Sequence, residues 1–124
     1  MSRKGLFVIA ALALCSVSHA KDCSQQRNPT SACLTDTLKA RTAELTTAYN
    51  ALHDSTKAKT ELEDSQSSWS TYRDRQCSDF VTKNSDSSTT QAQSQACRLT
   101  LTSERLQLLK SFGKNIKAAT KATS

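Results

Sequence analysis

Residues 77–97 read CSDFVTKNSDSSTTQAQSQAC. Two cysteines bracket a polar middle, residues 84–90, and neither glycine nor proline interrupts the stretch. Cys77 and Cys97 each lie ten residues from position 87. If the flanks are helices and the polar middle is their turn, the two thiols meet across an antiparallel hairpin, within reach of a bridge when their faces match. Further out, glycine and proline are absent from all of residues 30–112. Over that length the absence argues for helix and against a turn-rich sheet. The expected class is all-α, a small antiparallel three-helix bundle.

The first helix is expected to begin near Asn28-Pro29, where asparagine can cap and proline suits the first turn. It carries Leu34, Leu38, Leu45, Tyr49 and Leu52 at steps of 3, 4 and 7, which makes one apolar stripe. Polar residues 53–59 break the pattern, and Thr60-x-x-Glu63 has the form of a capping box that restarts it. A second helix is expected over about residues 60–83, with Leu62, Trp69, Tyr72, Cys77 and Phe80 on its apolar face. Ser88-x-x-Gln91 has the same capping form, and the third helix carries Ala92, Ala96, Leu99, Leu106, Leu109, Phe112 and Ile116.

At the N-terminus, Arg3 and Lys4 precede an apolar run over residues 6–14 and a small-x-small ending, Ser18-His19-Ala20. These are the parts of a secretory signal peptide, with an apolar run too short to span a membrane. The expectation is export, to a periplasm or beyond the cell. Leu14 precedes Cys15 where a lipoprotein signal needs a small residue, so lipidation is not expected. Cleavage after Ala20 leaves Cys23, Cys33, Cys77 and Cys97. An even count in a small exported domain reads as two disulfides. Three connectivities are open; the hairpin layout points to Cys77–Cys97, and leaves Cys23–Cys33 to tie the N-terminal arm to the first helix. Staples are needed, because beyond residue 20 the chain holds only ten leucines, one isoleucine, one valine and two phenylalanines. Residues 21–109 form the expected domain, and 110–124 a basic extension of its last helix.

Composition excludes several chemistries. Beyond residue 20 there is one histidine, His53, no methionine and one glycine, Gly113. The cysteine spacings of 10, 44 and 20 contain no Cys-x-x-Cys pair, so haem, zinc and phosphate-loop sites are not expected. His53 is expected as a solvated residue of the linker between helices. No base, nucleophile and orienting group come together, so neither catalysis nor a cofactor is expected. Glu61, Glu63 and Asp64 have the composition of a glycosidase pair, but fit better as acids favouring a helix N-terminus. Lys110, Lys114, Lys117 and Lys121 follow at steps of 4, 3 and 4 with no acid after Glu104. If helical, they form one basic stripe, suited to anionic lipid, lipopolysaccharide or cell-wall polymer. Nucleic acid is not an expected partner, since an exported protein seldom meets it and only one aromatic residue, Phe112, falls among the lysines.

The run Trp69-Ser70-Thr71-Tyr72-Arg73-Asp74-Arg75-Gln76-Cys77, preceded by Leu62 and Gln66, resembles the signature of the lysozyme inhibitor LprI-like N-terminal domain family. The early pair Cys23 and Cys33, the run from Glu44 through Tyr49 to Leu52, and Cys97 followed by Thr102, Arg105 and Leu109 match it as well. The chain departs from the family pattern at residues 41–46 and at 84–88. The resemblance covers nearly all of the chain beyond residue 20. It implies a small helical exported bacterial protein, with lysozyme inhibition as the activity of one branch.

Two readings of Trp69, Tyr72, Arg73 and Asp74 stand open. In one they are structural: Trp69 packs against Tyr49, and Arg73 lays its stem over the disulfide and pairs with an acid. In the other, Tyr72, Arg73 and Arg75 are exposed binding anchors. Two functions follow. The first is a monomeric binding protein that covers the cleft of a lysozyme or another cell-wall hydrolase. With a net charge of +4 beyond residue 20, long-range steering toward a basic lysozyme is lacking, so local acids such as Glu61, Glu63, Asp64 and Asp74 would supply the complementarity. The alternative is an envelope adaptor held on an anionic surface by the lysine stripe.

Overall fold

The computed structural model describes Cys23 and residues 26–124; the expected signal peptide lies outside the described residues. Helix α1 spans Ser31–Ser55. Helix α2, Lys59–Asp74, continues without a break through a π-helical turn, Arg75–Phe80, into α3, Val81–Asn84. Helix α4 spans Thr90–Ala122. Among the described residues there is no strand, and no helix is long and apolar enough to cross a membrane.

The topology is up, down, up. α1 and α4 run parallel, since Ser31 donates to Gln95 at one end and Glu44 meets Lys110 further along. The α2–α3 rod runs antiparallel to both, with Glu63 beside His53, Gln66 beside Arg105 and Asp74 beside Arg98. Cys77 pairs with Cys97, and Cys23 with Cys33, at Cα separations of 5.4 and 5.9 Å. The bridge from α2 to α4 and the local staple of the N-terminal arm are those the hairpin layout pointed to.

The core is thin and falls into two clusters. Leu45, Leu52, Leu106 and Leu109 form the larger, with Tyr49, Leu62, Trp69 and Ile116 packed against it. Cys23, Leu34 and Leu99 form the smaller, with Cys33, Leu38, Ala92 and Ala96 around it. Each buried leucine contributes about 1.5–3 kcal/mol, and Cys23 takes the place of an apolar residue in the smaller cluster. Along α1, the hydroxyls of Thr35, Thr42, Thr46 and Thr47 bond the carbonyl four residues back. These residues turn their competing donors onto the helix itself.

Several expectations need correction. α1 starts at Ser31, not at Asn28-Pro29: Thr30 is the cap, its hydroxyl accepting from the Cys33 N–H at 3.3 Å. Neither capping box forms. α2 begins at Lys59 behind Ala58, where the Thr56 hydroxyl fixes the turn by accepting from the Ala58 N–H. α4 begins at Thr90, with the Asp86 carbonyl accepting from the N–H groups and hydroxyls of Thr89 and Thr90. His53 is not in a linker but in the last turn of α1, half-buried, stacked obliquely on Tyr49 and bonded to Glu63. Tyr72, Phe80 and Phe112 are not core residues, being 54%, 57% and 45% exposed. The π turn holds one more residue per turn than an α-helix, which rotates Phe80 off the stripe that carries Cys77. Tyr72 and Phe112 stand at the edges of their stripes, where a narrow bundle has no third layer to cover them.

Candidate functional site

The motif around Trp69 is an internal brace between α2 and α4. The Arg73 guanidinium lies over the Trp69 ring, 5.0 Å from its centroid, and the Arg105 guanidinium lies 5.9 Å from it. Cations held over an aromatic face gain roughly 0.5–2 kcal/mol each. Arg73 also donates to Asp74 at 3.0 Å, and Asp74 accepts a second charge-assisted bond from Arg98 at 2.6 Å. The other Arg98 nitrogen donates to Ser78 at 2.6 Å, inside the π turn that carries the bridging Cys77. Burial pushes the Asp74 carboxyl up, but the hydrogen bonds and charges of Arg73 and Arg98 together outweigh it and hold the carboxyl below its ordinary value.

Arg105 is 8% exposed. It donates to Gln66 Oε1 at 3.0 Å and to Ser65 Oγ at 2.9 Å, and burial pulls its guanidinium below the ordinary value. A buried cation held by neutral acceptors and an aromatic face gives α2 and α4 a defined register. Arg98 and Arg105 were not singled out as site residues from sequence. The signal for Arg105 is its place in the stripe of Leu99, Thr102, Leu106 and Leu109, all of them buried.

The three acids at the start of α2 do not form one patch. Glu61 lies in the first turn and lines a groove facing α4. Glu63 points to α1, where its Oε1 is 2.7 Å from His53 Nε2. Asp64 is exposed. Arg75, in the π turn, is exposed and lines a groove with Tyr72 and Gln76. Lys110, Lys114, Lys117 and Lys121 are all exposed on helical α4, with Lys110 3.7 Å from Glu44. Among the described residues no three histidines, cysteines or acids are grouped as a metal site would need.

A disulfide-stapled helical bundle whose Trp-Arg-Asp run is spent on its own bracing defines a small braced helical scaffold. The family model described as "Lysozyme inhibitor LprI" matches residues 20–109, and the chain belongs to that family. No curated protein and no solved structure matches the chain.

Proposed function

We propose that this protein is an exported inhibitor of a lysozyme-type cell-wall hydrolase, acting by binding as a rigid helical body. The family match over residues 20–109 carries this reading. The geometry supports binding over catalysis: His53 is engaged with Glu63 and Tyr49, and the grooves between helices are open to solvent. Two disulfides and the Arg105 brace hold the surface in one shape, which lowers the ordering cost of association. Export rests on the signal-like N-terminus together with the use of paired cysteines.

The test is lysis of a bacterial cell-wall suspension by egg-white lysozyme, titrated with the oxidised protein and with a reduced, alkylated control. Dose-dependent inhibition by the oxidised form alone is expected. Absence of inhibition across a panel of lysozymes would remove the reading. A second reading is favoured by one observation: Lys114, Lys117 and Lys121 are exposed on one stripe of α4, with no acid after Glu104. This is an envelope adaptor attracted to anionic surfaces. It predicts salt-sensitive sedimentation with anionic vesicles that is lost when the three lysines are replaced by glutamine.

A further inference from the structure

We infer that the hydrolase docks on the seam between α2 and α4, at the exposed apolar strip of Tyr72, Leu108 and Phe112; this rests on the inhibitor reading above. The described residues include four large apolar side chains that are substantially exposed, and three of the four lie on this seam: Tyr72 at 54%, Leu108 at 44% and Phe112 at 45%. Two grooves follow one another along it. One, of about 240 Å³, is floored by Trp69 and Arg105 and walled by Tyr72, Leu101 and Leu108. The other, of about 350 Å³, lies between Leu62 on α2 and Phe112 and Ile116 on α4. Ser65 bonds Arg105 where the two meet. From Leu101 to Ile116 the seam is about 22 Å long, by the rise of an α-helix.

The charge on this seam opposes the net charge of the molecule. Glu104 lines one groove and Glu61 the other, and no lysine lines either. The one cation present, Arg105, is turned inward onto Gln66, Ser65 and the Trp69 ring. Arg75, in the π turn, lines neither of these grooves but a third one beside them, which Tyr72 borders from its other side. The seam between α1 and α4 is different: Glu104 lines its larger groove as well, but there it is joined by Arg41 and Lys110, which share Glu44 as an ion-pair partner. A basic hydrolase is therefore attracted more to the α2–α4 seam, where no lysine lines the grooves, than to the α1–α4 seam. Tyrosine flanked by leucine and phenylalanine over a fixed floor is also the composition of an interface centre, with carboxylates as its rim. The occupant is the basic surface bordering the cleft of a lysozyme-type hydrolase.

The test compares three variants of the oxidised protein with the parent, using egg-white lysozyme as the probe in both a binding assay and the lysis assay. The seam pair Tyr72→Ser with Leu108→Ser removes exposed apolar groups, Glu104→Lys reverses a rim charge, and Lys39→Gln with Lys83→Gln alters exposed positions elsewhere. Circular dichroism melting shows whether each variant is folded, and gel filtration reports association. The expected result is about tenfold or greater loss of affinity for the seam pair. Glu104→Lys should give a smaller loss with a flatter salt dependence, and the lysine pair no change. Loss caused by the lysine pair, with the seam variants unchanged, would overturn the seam while leaving the inhibitor reading in place. A parent that binds no lysozyme overturns both. A parent that dimerises through residues whose replacement by serine abolishes the dimer would assign the seam to a second copy of this chain and reject the hydrolase as its occupant.

Discussion

Replacing Cys77 and Cys97 together by alanine opens a loop closed by 20 residues of sequence separation. The chain-entropy relation for a loop of that length gives about 3 kcal/mol of stabilisation lost. For a domain of about 100 residues this lowers Tm by roughly 12–25 °C. Little cavity cost adds to it, since alanine loses only one sulfur at each position. The effect is local as well, because Cys77 sits in the π turn beside Ser78, whose hydroxyl holds Arg98. Urea unfolding followed by circular dichroism and by the fluorescence of Trp69 measures the change, with the slope against urea also rising as the denatured chain is freed to expand. Removing Cys23 and Cys33 opens a loop of separation 10 and costs about the same by the same relation. Losing both bridges removes about 6 kcal/mol, comparable to the whole stability of many small domains, so the reduced chain is expected to be unfolded. A Cys77/Cys97 double variant that loses less than about 1 kcal/mol would refute the view that the bridges substitute for a thin core.

Other predictions follow from single side chains. Arg105→Ala should cost about 2–3 kcal/mol, by leaving Gln66 and Ser65 without their donor and the Trp69 ring without its cover; a melting temperature within a degree or two of the parent would show that the brace carries no load. Asp74 has its carboxyl held below the ordinary value, so its contribution is present above the unfolded value near pH 4 and fades as pH falls through the folded one. Asp74→Asn should therefore be less stable than the parent at pH 7, by no more than about 1 kcal/mol because the carboxylate is half-exposed. The two melting curves should converge in acid. Gly113 lies within α4, and a Cβ built there meets nothing within 4 Å. Gly113→Ala should raise stability by roughly 0.5–1 kcal/mol, read as an upward shift in the thermal midpoint.

The helix stripes and the long bridge were legible because they depend on spacing alone. Leu34, Leu45 and Leu52 on α1, and Leu99, Leu106 and Leu109 on α4, repeat at intervals that only one helix face satisfies. The symmetric placement of Cys77 and Cys97 about residue 87 needs no tertiary information. What sequence did not yield depends on where one helix sits relative to the next. The π turn at residues 75–80 is where Cys77 must meet α4 at the same level as Arg98 meets Asp74, a constraint set by the pairing of two rods. Glu61 and Glu63 are two positions apart and so project about 200° apart on a helix, which sends one toward α4 and the other to His53 on α1. A cluster in the sequence thus became two separate groups in space. Tyr72 and Phe112 share the helical spacing of core residues, and only the narrowness of the bundle leaves them in solvent.

The proposed docking of a lysozyme-type hydrolase on the α2–α4 seam specifies which residues change surroundings when the two proteins meet. Backbone amide NMR spectra of the oxidised, isotope-labelled protein, recorded as unlabelled egg-white lysozyme is added, test it most directly. Perturbations are expected to concentrate at residues 61–72 and 101–116, with residues 39–51 of α1 unmoved. Perturbations centred on residues 39–51, or none at lysozyme concentrations well above those of the lysis assay, would contradict it.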